Sequence, residues 1–269
     1  MEIKLFHALW GMEGSCAALF KRASEEGYAG IEAPLPPPEQ EEEFKKRLAE
    51  YRLDFIAQVV TSGDHAASFA AQAERAAGFR PLLIVSHSAR DAMPFPDQVR
   101  FFEQALAVER SIGIPVGHET HRSRAMFTPW TTAALLKELP ELRITADFSH
   151  WCCATESTLE DFGEDLRLAF ERTIHIHARI GHAEGPQVPH PAAPEYDYER
   201  EAFERWWGEI VALRERRGDI CVTMTPEFGP PGYMPTLPFT RQPVADLREV
   251  NRWMADRLRE KFGGHRGER

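Results

Sequence analysis

Short apolar runs of strand length alternate with longer stretches of helical spacing along this whole chain, and each kind occurs eight times. Strand signals fall at Ile3–Leu9, Gly30–Ala33, Phe55–Val60, Leu82–His87, Val116–Glu119, Arg143–Asp147, Ile174–Ala178 and Ile220–Glu227. Helical spacing covers about 13–25, 38–51, 66–79, 96–111, 129–138, 157–171, 198–216 and 243–261. Helix starts are marked by Pro96-Asp97, by Thr128-Pro129, and by Ser157-Thr158-Leu159-Glu160 read as a capping box. Eight such alternations in 269 residues match an α/β fold of the (β/α)8 TIM-barrel type in both count and length. The competing doubly wound sheet holds phosphates on a glycine-rich turn, and no strand here is followed by Gly-x-Gly-x-x-Gly. A hydrophobic content of 43% suffices for one sizeable core, so residues 1–262 are expected to form a single domain and 263–269 a flexible tail.

Four of the strand signals end on a metal-ligating side chain. Ile114-Pro115-Val116-Gly117-His118 leads to Glu119, Leu142-Arg143-Ile144-Thr145-Ala146 to Asp147, Thr173-Ile174-His175-Ile176 to His177, and Cys221-Val222-Thr223-Met224-Thr225-Pro226 to Glu227. Carboxylate oxygens suit Mg²⁺ and Mn²⁺, and an imidazole adds affinity for Mn²⁺, Co²⁺ or Zn²⁺. In a barrel the site lies at the carboxyl ends of the strands, where all four residues fall, so one divalent ion is expected on Glu119, Asp147, His177 and Glu227. Carboxylates at buried strand ends need a cation or a salt bridge. Strand alternation points His175 to the same face as His177.

Charge and cysteine usage exclude other classes. With 32 Lys and Arg against 42 Asp and Glu, a net charge of −10 does not favour a phosphate backbone or an anionic membrane, so neither nucleic acid nor membrane is expected as a partner. None of the four cysteines forms a Cys-x-x-Cys pair, which predicts reduced thiols in a cytoplasmic setting. The amino terminus lacks the basic and long apolar regions of a signal peptide. A homo-oligomer is compatible with the sequence and not specified by it.

Two connections exceed ordinary length and are dense in proline: 180–198, with Pro186, Pro189, Pro191 and Pro194, and 228–243, with Pro230, Pro231, Pro235, Pro238 and Pro243. Both follow ligand-bearing strands and are expected to wall the active-site mouth. Weaker candidates surround them. His87 ends the fourth strand signal; His121, Arg122, Arg124 and Arg179 are placed to read an anionic substrate group; Trp10 and Trp151 offer apolar walls for a sugar ring.

The motifs His118-Glu119-Thr120, Asp147-Phe148-Ser149-His150, His175-Ile176-His177 and Pro226-Glu227-Phe228-Gly229 resemble those of the sugar phosphate isomerase/epimerase superfamily of xylose isomerase-like TIM barrels. The likeness in architecture runs over nearly the whole chain. In the epimerase branch a Glu, an Asp, a His and a second Glu bind Mn²⁺, Co²⁺ or Mg²⁺, and they match Glu119, Asp147, His177 and Glu227. The resemblance further implies that Glu119 and Glu227 are the acid/base pair and that His150, three residues beyond Asp147, contacts a small carbohydrate substrate; His87, His121 and Arg179 are substrate-binding candidates by their positions in the sequence. The implied reaction is proton abstraction next to a carbonyl through a metal-stabilised enediolate. Ketose 3-epimerases carry an arginine six residues beyond the metal histidine and a glutamate six beyond the first glutamate, whereas Ala183 and Ala125 stand here. Two alternatives accompany this reading: an inosose-type dehydratase, and an endonuclease IV-like phosphodiesterase. Against the latter, Val188 stands where a paired Asp-x-His would put its aspartate before His190.

Overall fold

Eight parallel strands close into one barrel in sequence order, β1 pairing with both β2 and β8. The strands are β1 Glu2–Ala8, β2 Gly30–Pro34, β3 Asp54–Val60, β4 Leu83–His87, β5 Val116–Glu119, β6 Ile144–Ala146, β7 Thr173–His177 and β8 Cys221–Thr225. The helices are α1 Cys16–Glu25, α2 Glu41–Tyr51, α3 His65–Ala77, α4 Phe95–Ile112, α5 Pro129–Glu138, α6 Ser149–Thr155, α7 Gly163–Arg172, α8 Asp197–Arg216 and α9 Leu247–Phe262. This computed structural model describes residues 1–263, so the expected tail lies outside the described residues apart from Gly263. Among the described residues no helix is long and apolar enough to cross a membrane.

The (β/α)8 expectation holds, and every strand begins and ends close to where its apolar run predicts. β8 stops at Thr225 because Pro226 has no N–H to extend the ladder, and Glu227 is thereby released to the rim. Thr128 caps α5 by accepting from Thr131 N at 3.3 Å with Pro129 at the first helical position, as its sequence predicts. The capping box at Ser157 is corrected. Leu159 takes a left-handed φ of 60°, Ser157 Oγ accepts from Leu159 N (3.2 Å), and α7 begins only at Gly163 after a 3-10 turn. The sequence reading also lacks α6, a short helix buried at Ser149, His150, Trp151 and Cys152, which shows no one-sided periodicity to detect.

The main hydrophobic core lies between the strands and the outer helices. Inside the barrel a separate small cluster of Phe6, Ile56, Leu83 and Val85 fills the side made by β1, β3 and β4. Full burial of each such side chain contributes roughly 1.5–3 kcal/mol. The opposite interior side, from β5 to β8, is polar and carries Glu119, Thr145, His175, His177, Thr223 and Thr225, all buried. Gly30 permits close strand approach beside Phe6, since a Cβ there would lie 2.2 Å from Asp54 O.

One buried group outside the mouth makes stability depend on pH. His7 is 3% exposed, packs edge-on to Tyr28 (4.9 Å, 85°), and leaves Nδ1 without a partner. Burial lowers its pKa from 6.5 to about 4. Above pH 6.5 the ring is neutral in both folded and unfolded chains; as pH falls toward 4, only the unfolded chain takes up the proton, and stability is lost. Urea titrations should show a loss of up to about 3 kcal/mol in that window, which His7→Phe flattens. An unchanged pH profile in the variant would contradict this assignment.

Candidate metal centre and active site

The ends of β5, β6, β7 and β8 bring Glu119, Asp147, His177 and Glu227 together, one ligand atom of each lying within 4.8 Å of all the others. All four are buried, none more than 5% exposed. His177 Nδ1 is the centre of the group: it lies 2.9 Å from Glu227 Oε2, 3.3 Å from Glu119 Oε1 and 4.0 Å from Asp147 Oδ2. Asp147 is fixed from several sides. Thr120 Oγ1 accepts from its backbone N–H (2.8 Å), its Oδ1 accepts from Ser149 N (3.1 Å), and Arg179 pairs with Oδ2.

A residue absent from the sequence expectations holds this group in place. Glu32, in the middle of β2, reaches across the barrel, where His177 Nε2 donates to Oε1 (2.8 Å) and His175 Nε2 to Oε2 (3.1 Å). Thr225 Oγ1 (2.5 Å) and Gln58 Nε2 (3.1 Å) complete its shell. With Nε2–H engaged by a carboxylate, His177 turns Nδ1 toward the acids, and this is the atom that would ligate a metal on losing its proton, the usual way a partner fixes a ligating imidazole. The signal in the sequence was Glu32 itself, an acid inside Gly30-Ile31-Glu32-Ala33, a run otherwise small and apolar. His175 is therefore no mere packing residue: it bonds Glu32, and its Nδ1 accepts from Thr223 Oγ1 at 2.8 Å.

The electrostatics are those of acids short of positive charge. Burial pushes the Glu119 carboxyl up, but His87 and His177 outweigh it and hold it well below the usual range. Burial raises Asp147 to about 6 against the opposing pull of Arg179. Burial would lower His177, yet the carboxylates of Glu227, Glu32 and Glu119 raise it well above 6.5. Glu119 Oε2 has no aligned hydrogen-bond donor, although His87 Nε2 lies 2.5 Å away. Three converging carboxylates, one oriented imidazole and an oxygen without a donor fit a hard divalent cation. The Glu32, His175 and His177 set has its carboxylate oxygens taken by hydrogen bonds, which marks it as support.

A cavity of about 210 Å³ opens on Glu119 and Glu227, and His87, His121, Arg179, Gln58, Trp10 and Tyr233 also line it. His150 is seated differently from His121. It is fully buried, lies behind His121 at 3.8 Å between ring centroids, and is 2.9 Å from Arg179 Nη2 through Nε2. Trp151 is core, its Nε1 donating to Met126 O at 3.2 Å. Arg124 spends its guanidinium on Thr61 O (3.1 Å) and Ala89 O (3.3 Å), which removes it as an anion reader. Of the two proline-rich connections, 228–243 supplies Tyr233 to the cavity, while 180–198 braces it from outside: Gln187 accepts from Gly229 N and donates to Gly229 O. A larger cleft of 560 Å³ between α1 and α9 is a surface feature, two of whose arginines are tied to acids, Arg248 to Glu26 at 2.6 Å and Arg259 to Asp256 at 2.7 Å.

No protein-family model matches the chain, and no curated protein matches it in sequence. Solved structures do match it. A D-tagatose 3-epimerase-like protein is 12% identical, with a TM-score of 0.67 over 97% of each chain. A xylose isomerase-like TIM-barrel protein from Mycobacterium smegmatis, in complex with magnesium, is 10% identical with a TM-score of 0.64 over 96% of each chain. Endonuclease IV from Thermus thermophilus is 18% identical with a TM-score of 0.57 over 97% of this chain and 99% of its own. At such identities the likeness is one of fold, and that fold is the (β/α)8 TIM barrel.

Proposed function

We propose that the chain is a divalent-metal-dependent isomerase or epimerase of a small sugar, with one Mn²⁺, Co²⁺, Mg²⁺ or Zn²⁺ ion on Glu119, Asp147, His177 and Glu227. The observation that carries this reading is the convergence of three carboxylates on an imidazole oriented by Glu32, with Glu119 and Glu227 open to the cavity. A divalent ion held there supplies Lewis acidity that polarises a carbonyl and acidifies the neighbouring C–H. The chain's own groups do the rest. Glu119 and Glu227 exchange the proton: one removes it from carbon and the other returns it on the opposite face for epimerisation, or a single one of them moves it between two neighbouring carbons for isomerisation. His87 beside Glu119 and Arg179 beside Glu227 place positive charge near the developing enediolate. Gln58 Nε2 donates to Glu227 Oε1 (3.0 Å) and keeps that carboxylate aimed. His150 acts from behind the lining, through Arg179 and His121. Four unpaired cysteines fit a reducing, cytoplasmic setting.

Incubation in D₂O with metal and a panel of ketoses, their phosphates and inososes should place deuterium on one carbon next to the carbonyl, read by NMR. Net loss of water from an inosose would favour the dehydratase. Cleavage of a bis-aryl phosphate or abasic DNA with no exchange on any sugar would replace the isomerase reading with the hydrolytic one. Asp147→Ala should lose its metal and keep its fold, whereas His150→Ala should keep the metal and lose exchange.

The support role of Glu32 has its own readout. Glu32→Gln should keep the barrel folded and weaken metal binding by about 10- to 100-fold, measured by calorimetry. Wild-type affinity in that variant would show that His177 does not need the carboxylate to present Nδ1.

A further inference from the structure

Part of the cavity lining is carbon: Trp10, Pro34, Val60 and the ring of Tyr233, with the Arg179 guanidinium 4.8 Å from the Tyr233 ring centroid. Trp10 stands edge-on to Tyr233 at 4.8 Å and 89°, and it presses on the Gly229 backbone so closely that a Cβ there would lie 2.1 Å from its Cη2. This wall is fixed by packing and is no chance position of a surface side chain.

The guanidinium of the lining is already committed. Arg179, the guanidinium that lines the cavity, donates from Nε to Ser149 Oγ (3.2 Å), from Nη1 to Glu227 O (3.1 Å), and from Nη2 to Asp147 and His150. Arg122 packs on the Tyr233 ring at 4.8 Å and is not part of the lining. Four carboxylates, of Glu32, Glu119, Asp147 and Glu227, stand against Arg179. A divalent ion and Arg179 together carry three positive charges against these four carboxylates, so none is in surplus. A phosphate or carboxylate packed on this carbon would lose its water while the donors of Arg179 are already taken. The C–H face of a neutral sugar, by contrast, packs on aromatic rings at no such cost. The volume of 210 Å³ is below the roughly 300 Å³ at which pockets for drug-sized ligands begin, so the occupant is small.

We infer that the substrate of this site is a small uncharged polyhydroxy ketone or aldehyde, bearing neither phosphate nor carboxylate, whose far end packs on Trp10 and Tyr233. The inference rests on the isomerase reading above and adds to it the class of substrate.

Calorimetry on the Mn²⁺-loaded protein tests it, with unphosphorylated ketoses and inososes as probes beside their monophosphate esters and hydroxy-keto acids. The neutral compounds should bind at least about tenfold more tightly than their charged counterparts. Trp10→Ala should weaken them about tenfold while Mn²⁺ affinity is unchanged. Val60, 43% exposed at the cavity edge, offers a second variant that leaves the core alone: Val60→Lys should bring phosphate esters up to the affinity of the neutral sugars. Tighter binding of phosphate esters or keto acids by the wild-type protein would overturn this inference and leave the isomerase reading standing. Normal Mn²⁺ loading with no sugar bound, charged or neutral, would overturn both.

Discussion

The hydrogen bonds from the Nε2 atoms of His175 and His177 to the Glu32 carboxylate hold the mouth of this barrel in order. Glu32 stands on β2 and the two histidines on β7, so the contact crosses the barrel interior and ties strands that share no ladder. It sets the direction of the His177 ring, and with it the position of Nδ1 among the acids of β5, β6 and β8. A buried carboxylate is costly unless its lone pairs are used, and here Thr225 and Gln58 take those the histidines leave. Without that shell the three acids of the cluster would face an imidazole free to turn.

The barrel interior is divided to suit this arrangement. Phe6, Ile56, Leu83 and Val85 fill one side with hydrocarbon, which supplies stability, while the β5–β8 side carries groups that only a network can keep inside. Phe6 meets His175 edge-on at 6.5 Å, the point where the two halves touch. Arg179 and the rings of His177 and His87 are pressed against the acids, whose carboxylates raise the affinity of both rings for a proton. A divalent cation at His177 Nδ1 would take over that charge-balancing role at a point already surrounded by oxygen.

The fold and the four converging residues were legible because each leaves a local signal: alternation of period two and near four, and a polar group closing an apolar run. Glu32 was not legible in the same way. Its side chain points into the barrel from mid-strand, and its histidine partners lie more than a hundred residues away, so nothing local distinguishes it from a misplaced surface acid. α6 escaped because its seven residues span barely two turns and polar Ser149 and His150 are buried beside Trp151 and Cys152, so no apolar stripe marks it. Proline content correctly marked both long connections as irregular, but could not say which one faces the cavity; that is decided by Gln187, which clamps Gly229 and turns Tyr233's loop inward. Arg124 and Arg179 look alike in sequence, yet one caps backbone carbonyls and the other pairs with Asp147.

The central claim is that one divalent ion sits where Glu119, Asp147, His177 and Glu227 meet. Anomalous diffraction from crystals grown with Mn²⁺ tests it most directly, because it locates the ion and its ligand atoms without reference to activity. The account predicts one strong peak per chain bonded to His177 Nδ1 and to oxygens of the three carboxylates, with Glu32 still bonded to Nε2. A peak placed instead on His121 and His150, several peaks per chain, or an ion held through His177 Nε2 would contradict it.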